Sequence, residues 1–267
     1  MSRASAIVLA GRRDGALDPL AAAHGVADKC LVPVLGTPCI EHVLAALAAA
    51  PEIGQIVVSI NDPAILAGLP MAERLMGEGR LIAIRAAANL ADSVIEAAGR
   101  APFPLLVTTA DNVLITPESI AALIAGAGDA DAAAAFARKA DILAAHPEGQ
   151  RRFYEFADDG YSNCNTYWIA RSDVLRVAEI FREGGQFAKQ PRRVIGAFGL
   201  INTLMFRWGW LSLEAAMRRV SRRMGLTLVP VVLADGSYAI DVDNARTHAC
   251  ASEIMARRRQ AASAAGQ

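Results

Sequence analysis

An apolar run, Ile7-Val8-Leu9-Ala10, leads directly into Gly11-Arg12-Arg13-Asp14-Gly15, and Lys29 opens the later stretch Lys29-Cys30-Leu31-Val32-Pro33-Val34-Leu35-Gly36-Thr37-Pro38. Gly11 lets the backbone approach a ligand closely at the end of a strand, the place where open α/β sheets bind their ligands. Arg12 and Arg13 bring guanidinium groups that grip phosphate oxygens in pairs, while Lys29 supplies a movable point charge. These types at this spacing point to polyphosphate binding; the plainer alternative is a solvated arginine pair beside an ordinary strand-to-helix turn. Neither Gly-x-Gly-x-x-Gly nor Gly-Lys-Ser/Thr follows the strand, which argues against a Rossmann dinucleotide site and a P-loop. Gly-x-Ser-x-Gly is absent too, and His24, His42, His146 and His248 form no His-Glu-x-x-His, so neither a serine nucleophile nor catalytic zinc is expected. The histidines read as structural or exposed.

The elements that must carry these residues follow from apolar periodicity. Val- and Ile-rich runs alternate with Ala- and Leu-rich segments of helical period, the pattern of parallel strands joined by crossover helices, so the fold class is α/β. Strands are expected at Ala6 to Ala10, Gln55 to Ile60, Leu81 to Arg85, Leu105 to Thr109 and Asp131 to Phe136. Helices are expected at Pro38 to Ala50, Pro63 to Met76, Asn89 to Gly99 and Pro117 to Ala125, with Pro38 and Pro117 in first-turn positions. Past residue 140 the alternation breaks. Strand character returns near Tyr167 to Ala170, Thr227 to Leu233 and Tyr238 to Val242, an amphipathic helix fits Ser212 to Met224, and a last helix starts near Ala245. One domain is expected over 1–260, its first 140 residues binding nucleotide and the remainder completing the sheet on the acceptor side, with 261–267 a disordered tail.

Composition bounds the function. The 267 residues are 54% hydrophobic and 20% charged, enough for a sizeable core, and 27 basic residues cancel 27 acidic ones, which disfavours a general nucleic-acid binder. The four cysteines, Cys30, Cys39, Cys164 and Cys250, have no Cys-x-x-Cys spacing and read as small core residues in a reducing compartment. With no signal-peptide pattern and no apolar run near the ~20 residues needed to span a bilayer, the expected location is cytoplasmic.

The stretch from Leu9-Ala10-Gly11 through Lys29 to Gly36-Thr37-Pro38 resembles the Leu-Ala-Gly-Gly…Arg…Gly…Lys…Leu…Pro…Gly-x-Pro signature of nucleotidyltransferases, nearest to the MobA-like and the sugar- or polyol-phosphate cytidylyltransferase branches. Arg12 stands where the second glycine is usual, and the insert Leu17 to Val26 before Lys29 is long. Leu106-Val107-Thr108-Thr109-Ala110-Asp111-Asn112 resembles the family's strand-ending acidic motif, and Ile240-Asp241-Val242-Asp243-Asn244 its C-terminal Asp-Val-Asp, with Thr247 where a later acid is usual. The resemblance implies a three-layer α/β/α sandwich of the nucleotide-diphospho-sugar transferase (GT-A-like) type, with a mixed, mostly parallel sheet. It implies nucleotide contacts at Leu9, Ala10, Gly11, Asn89, Ser93 and Asp111, catalytic contacts at Arg12, Arg13 and Lys29, and Asn165 on the substrate side. Asn89 and Ser93 also suit an ordinary helix start, and Asn165 an ordinary polar loop position.

The resemblance further implies Mg2+, because a triphosphate's charges are usually neutralised by a hard cation held by carboxylates. Asp111 and Asp243 are the expected ligands and Asp241 a third; with one residue between them on a strand, Asp241 and Asp243 would share a face. The expected reaction transfers a nucleoside monophosphate from a nucleoside triphosphate (CTP favoured, GTP or UTP the alternatives) to a small phosphorylated sugar, polyol or alcohol. A glycosyltransferase of related fold and an inactive nucleotide-binding protein are the rival readings. Lys189, Arg192, Arg193, Arg207, Arg218, Arg219, Arg222 and Arg223 share one segment with Phe198, Phe206, Trp208 and Trp210. Its readings are a solvated cationic helix face, a grip on the acceptor's phosphate by Lys189 and Arg192, and weak association with an anionic membrane surface. Arg257-Arg258-Arg259 reads as a solvated helix end.

Overall fold

The structure is a computed structural model and describes residues 3–12, 18–181 and 210–265. Arg13, Lys189, Arg192, Arg193, Phe198, Phe206, Arg207 and Trp208 lie outside the described residues. In chain order the elements are β1 (Ala4–Leu9), α1 (Pro19–Ala23), β2 (Pro33–Val34), β3 (Thr37–Pro38), α2 (Cys39–Ala49), β4 (Ile53–Ile60), α3 (Pro70–Gly77), β5 (Leu81–Arg85), α4 (Leu90–Ala98), β6 (Leu105–Thr109) and α5 (Pro117–Ala127). The second half supplies β7 (Ala132–Arg138), α6 (Lys139–Ala145), β8 (Tyr154–Glu155), β9 (Gly160–Ile169), α7 (Leu213–Met224), β10 (Leu228–Leu233) and α8 (Ala245–Ala265).

One sheet takes strands from both halves in the order β10-β7-β9-β6-β1-β4-β5, with β8 paired to β9. β9 runs antiparallel to both β6 and β7; the other neighbours along this path are parallel. Successive strand residues point to opposite faces, so Ala6 and Val8 join one apolar cluster while Ile7 joins the other. The first face packs Val43, Leu44 and Leu47 of α2, Leu75 of α3, Leu123 of α5 and Ile254 of α8; the second packs Ala91 and Val94 of α4 and Val220 of α7. Burial on both faces is what makes these strands read as continuous apolar runs, and it gives the expected α/β/α sandwich. All four cysteines are free and buried. No helix among the described residues is long and apolar enough to cross a membrane.

The structure redraws six expectations. The helix expected at Pro63 to Met76 is two pieces, a 3-10 turn over Pro63–Leu66 and then α3, because Pro70 starts a new helix whose free amides at Met71 and Ala72 donate to the buried Glu41 carboxylate. Pro38 ends β3 rather than opening α2. β9 begins seven residues before the expected Tyr167, since its polar Ser162-to-Thr166 run is interrupted by a register shift opposite Ala134 and Phe136, with Asn165 at φ 47°. The strand expected at Tyr238 to Val242 is a 3-10 turn over Gly236–Ala239 followed by coil; Ala239, Ile240 and Val242 are apolar because the core buries them, not because a neighbouring strand pairs with them. Of the arginines expected to be solvated, Arg258 clamps this turn through Asp235 and the Ser237 hydroxyl and also donates to the Leu114 carbonyl. α8 itself continues through 261–265, where a frayed tail was expected.

That turn aims the Asp241 loop at the sheet, and Gly236 seats it: a Cβ there would lie 2.2 Å from the backbone of Asp141 and of Ile142. Gly236→Ala should therefore cost about 2 kcal/mol or more, as overpacking against rigid backbone does. Urea denaturation measures this, and a midpoint equal to wild type would contradict the packing.

Candidate active site

Three parallel strands finish at one level. Leu9 is in register with Ser59 of β4 and with Thr109 of β6, so Gly11, Asn61 and Asp111 leave the sheet side by side. The chain goes from β1 outward to β4 and β5, then crosses back to place β6 on the other side of β1, making this the switch point where such sheets form a ligand crevice. Gly11 fits because a Cβ would come 2.9 Å from the Ala86 Cβ, in the loop after β5.

Lys29 and two of the three aspartates meet here. Lys29 opens a 3-10 turn over Lys29–Leu31, and its Nζ donates to Asp111 Oδ2 and to Asp243 Oδ1, each at 2.5 Å. Burial works against the Lys29 charge, but the Asp111 and Asp243 carboxylates outweigh it and hold the ammonium above its ordinary range, so it acts as a cation and not as a base. The Asp243 loop is braced from both sides. The Val242 amide donates to the Asp111 carbonyl at 3.0 Å, and the Thr247 hydroxyl accepts from the amides of Asp243 and Asn244. Thr247 thus caps the loop rather than offering an acid.

Asp241 and Asp243 do not share a face. The Asp243 amide donates to the Asp241 carbonyl at 2.9 Å, a tight reversal that buries Asp241 and leaves the Asp243 side chain 62% exposed. Asn165, aimed by the irregularity in β9, donates to Asp241 Oδ2 at 2.5 Å. Burial, then the charges of Asp111 and Asp243, raise the Asp241 carboxyl well above the usual carboxylate range. Asn112 beside Asp111 is buried and donates to Thr108, Thr166 and the Cys164 carbonyl, tying β6 to β9.

Other expected contacts sit differently. The Arg12 amide donates to Asn61 Oδ1 at 2.5 Å, and its guanidinium Nε lies 2.8 Å from the buried carboxylate of Asp28. The Leu9 carbonyl and the Ala10 amide are spent on Ala110 and Ser59. Asn89 caps α4 by accepting from the Asp92 amide, and the buried Ser93 hydroxyl accepts from Ala87, so both side chains are committed within the loop after β5. Asp28, Asn61 and Asn112 escaped the sequence reading; a polar residue directly after an apolar strand, as Asn61 follows Ile60, was the available signal.

The donor set suits a hard cation. Asp111 Oδ1 and Asp241 Oδ1 are buried without a hydrogen-bond partner. Among the described residues no group of three or more acids, histidines or cysteines is placed to hold a metal ion by itself. Magnesium needs no such cage, since one or two carboxylates suffice when water and phosphate supply the rest.

A family model described as the MobA-like NTP transferase domain matches residues 6–195. Comparison with curated proteins gave no match. Among solved structures, a hypothetical transferase from Thermus thermophilus is 24% identical, with a TM-score of 0.71 over 92% of this chain and 99% of that one. A CMP:2-keto-3-deoxy-manno-octonic acid synthetase complexed with CTP is 14% identical, with a TM-score of 0.56 over 96% and 99%. A 4-diphosphocytidyl-2C-methyl-D-erythritol synthase from Anaerococcus prevotii is 11% identical, with a TM-score of 0.56 over 95% and 96%. These likenesses establish the fold.

The raised Asp241 carboxyl has a stability consequence with a definite sign. Above about pH 4 the unfolded chain gives up a proton that the native state keeps, so this group makes stability fall as pH rises toward the folded value. Asp241→Asn, which still accepts from Asn165, should raise the thermal midpoint in EDTA at pH 7, with the gain shrinking toward pH 4. A midpoint lowered at pH 7 would contradict the electrostatic account.

Proposed function

The chain belongs to the MobA-like NTP transferase family and is a nucleotidyltransferase; from that premise we propose that it transfers a nucleoside monophosphate to a small phosphorylated sugar, polyol or alcohol. CTP is the preferred donor, ahead of GTP and UTP, a choice supported by the two cytidylyl enzymes among the fold relatives. The observation that carries the reading is the Lys29 ammonium shared by Asp111 and Asp243 at the crevice beside Gly11 and Arg12.

A phosphate oxygen of the acceptor attacks the α-phosphorus. The new oxygen–phosphorus bond forms as the bond to the bridging oxygen of the β-phosphate breaks, and that electron pair leaves with pyrophosphate. Asp111 and Asp243 would hold Mg2+, which supplies charge neutralisation on the phosphate oxygens when bound. Lys29, charged at any physiological pH, stabilises the negative charge gathering on the leaving pyrophosphate, and Arg12 with Arg13 positions the triphosphate tail. Asn165 steadies Asp241 beneath the site. Lys189 and Arg192 are the proposed grips for the acceptor's phosphate. Nothing in this scheme needs a covalent intermediate.

The test is pyrophosphate release from each of four triphosphates, with magnesium and a panel of sugar, polyol and alcohol phosphates. Release should require both magnesium and acceptor and be fastest with CTP; Lys29→Ala should cut kcat by about 10²–10³, the range for losing one preorganised charge donor. Silence across the panel overturns the proposal. Nucleoside diphosphate as product would indicate glycosyl transfer, and triphosphate binding without turnover a non-catalytic binder.

A further inference from the structure

The side chain of Asp28 is 2% exposed, and a carboxylate taken that far out of water costs several kcal/mol unless a cation meets it. Among the described residues its ion-pair partner is Arg12, with Nε 2.8 Å away. The contact is a charge pair and not a well-aligned hydrogen bond, since the same carboxylate oxygen has no hydrogen-bond partner. Asp28 is not spent on capping the 3-10 turn it precedes. Arg12 is fixed a second time through its amide, which donates to Asn61 Oδ1. Its side chain is thus held from the residue preceding Lys29's turn and its backbone from the residue that follows β4, while the side chain as a whole stays 34% exposed.

Approach through Nε leaves both terminal nitrogens of the guanidinium, with their N–H groups, for another acceptor. A free arginine on a loop loses side-chain entropy when it grips a ligand, and one already held in place loses much less. The next residue after Asp28 is Lys29, so the acid that fixes the arginine also sits at the root of the lysine between Asp111 and Asp243.

We propose that Asp28 is a positioning residue that preorients Arg12 as a clamp for the polyphosphate tail of the nucleotide. It rests on the reading of the Gly11-Arg12 loop as a triphosphate site and adds to it the residue that makes Arg12 effective. Asp28 touches no substrate and acts through Arg12.

The test uses the full chain and two readouts: calorimetric binding of tripolyphosphate with magnesium, and KM against kcat for the best triphosphate. Asp28→Asn keeps the shape and removes the charge; binding should weaken about tenfold, with KM rising in step and kcat held within about twofold. Arg12→Lys, which keeps the charge and loses the fork, should weaken tripolyphosphate binding and raise KM at least as much, and the double variant should be no weaker than the worse single because both act through one contact. A folded Asp28→Asn protein with wild-type binding and KM, its thermal midpoint alone lowered, would overturn the proposal and make the pair a buttress. If Asp28→Asn does not fold, wild-type binding by Arg12→Lys overturns it equally. Wild-type protein that binds neither tripolyphosphate nor any triphosphate would instead sink the site reading on which the proposal stands.

Discussion

The shared register of β4, β1 and β6 is the constraint on which the site depends. Parallel strands paired residue for residue end together, so whatever the sequence places one or two positions beyond each apolar run arrives at the same edge. That puts Gly11 and Arg12, Asn61, and Asp111 in one row without any contact between their side chains being needed to assemble it. The antiparallel β9 enters the same edge from the opposite direction, which is how Asn165, far along the chain, reaches Asp241. One sheet thus gathers residues separated by more than two hundred positions.

This dependence explains how much could be read in advance. Leu81 to Arg85 and Leu105 to Thr109 were legible to the residue because each opens on an unbroken apolar run, Leu81 to Ile84 and Leu105 to Val107. Asp111 was legible with them, as the first acid past such a run. β9 was half legible, since its outer half carries the polar residues and the irregularity that serve the site, and a strand that bends to aim Asn165 does not look like a strand in sequence. Tyr238 to Val242 misled for the opposite reason: a short buried apolar run imitates a core strand where the backbone makes a turn and a reversal. Asp28 left no trace in sequence because its role is a pairing across the insert with a residue sixteen positions earlier, and neither periodicity nor motif encodes such a pairing.

The reversal at Asp241 to Asp243 does more than a strand would. A strand would have pointed both carboxylates into the same space, where like charges repel. The turn gives them different jobs: Asp243 reaches outward to Lys29, while Asp241 is buried against Asn165 in a setting that favours its neutral form. The crevice therefore presents the charges of Asp111, Asp243 and Lys29, and Asp241 contributes shape and a hydrogen-bond acceptor.

That arrangement bears on how a polyanion could be attracted at all. The chain as a whole is neutral, with 27 basic and 27 acidic residues, so its net charge supplies no attraction for a polyanion. At the crevice, two carboxylates outweigh the one ammonium they share, and Arg12 is balanced by Asp28, so the described groups carry no surplus positive charge. A triphosphate meets a net negative edge unless a cation comes with it. The electrostatics of these residues therefore favour a polyanion that arrives paired with a cation over one that arrives alone.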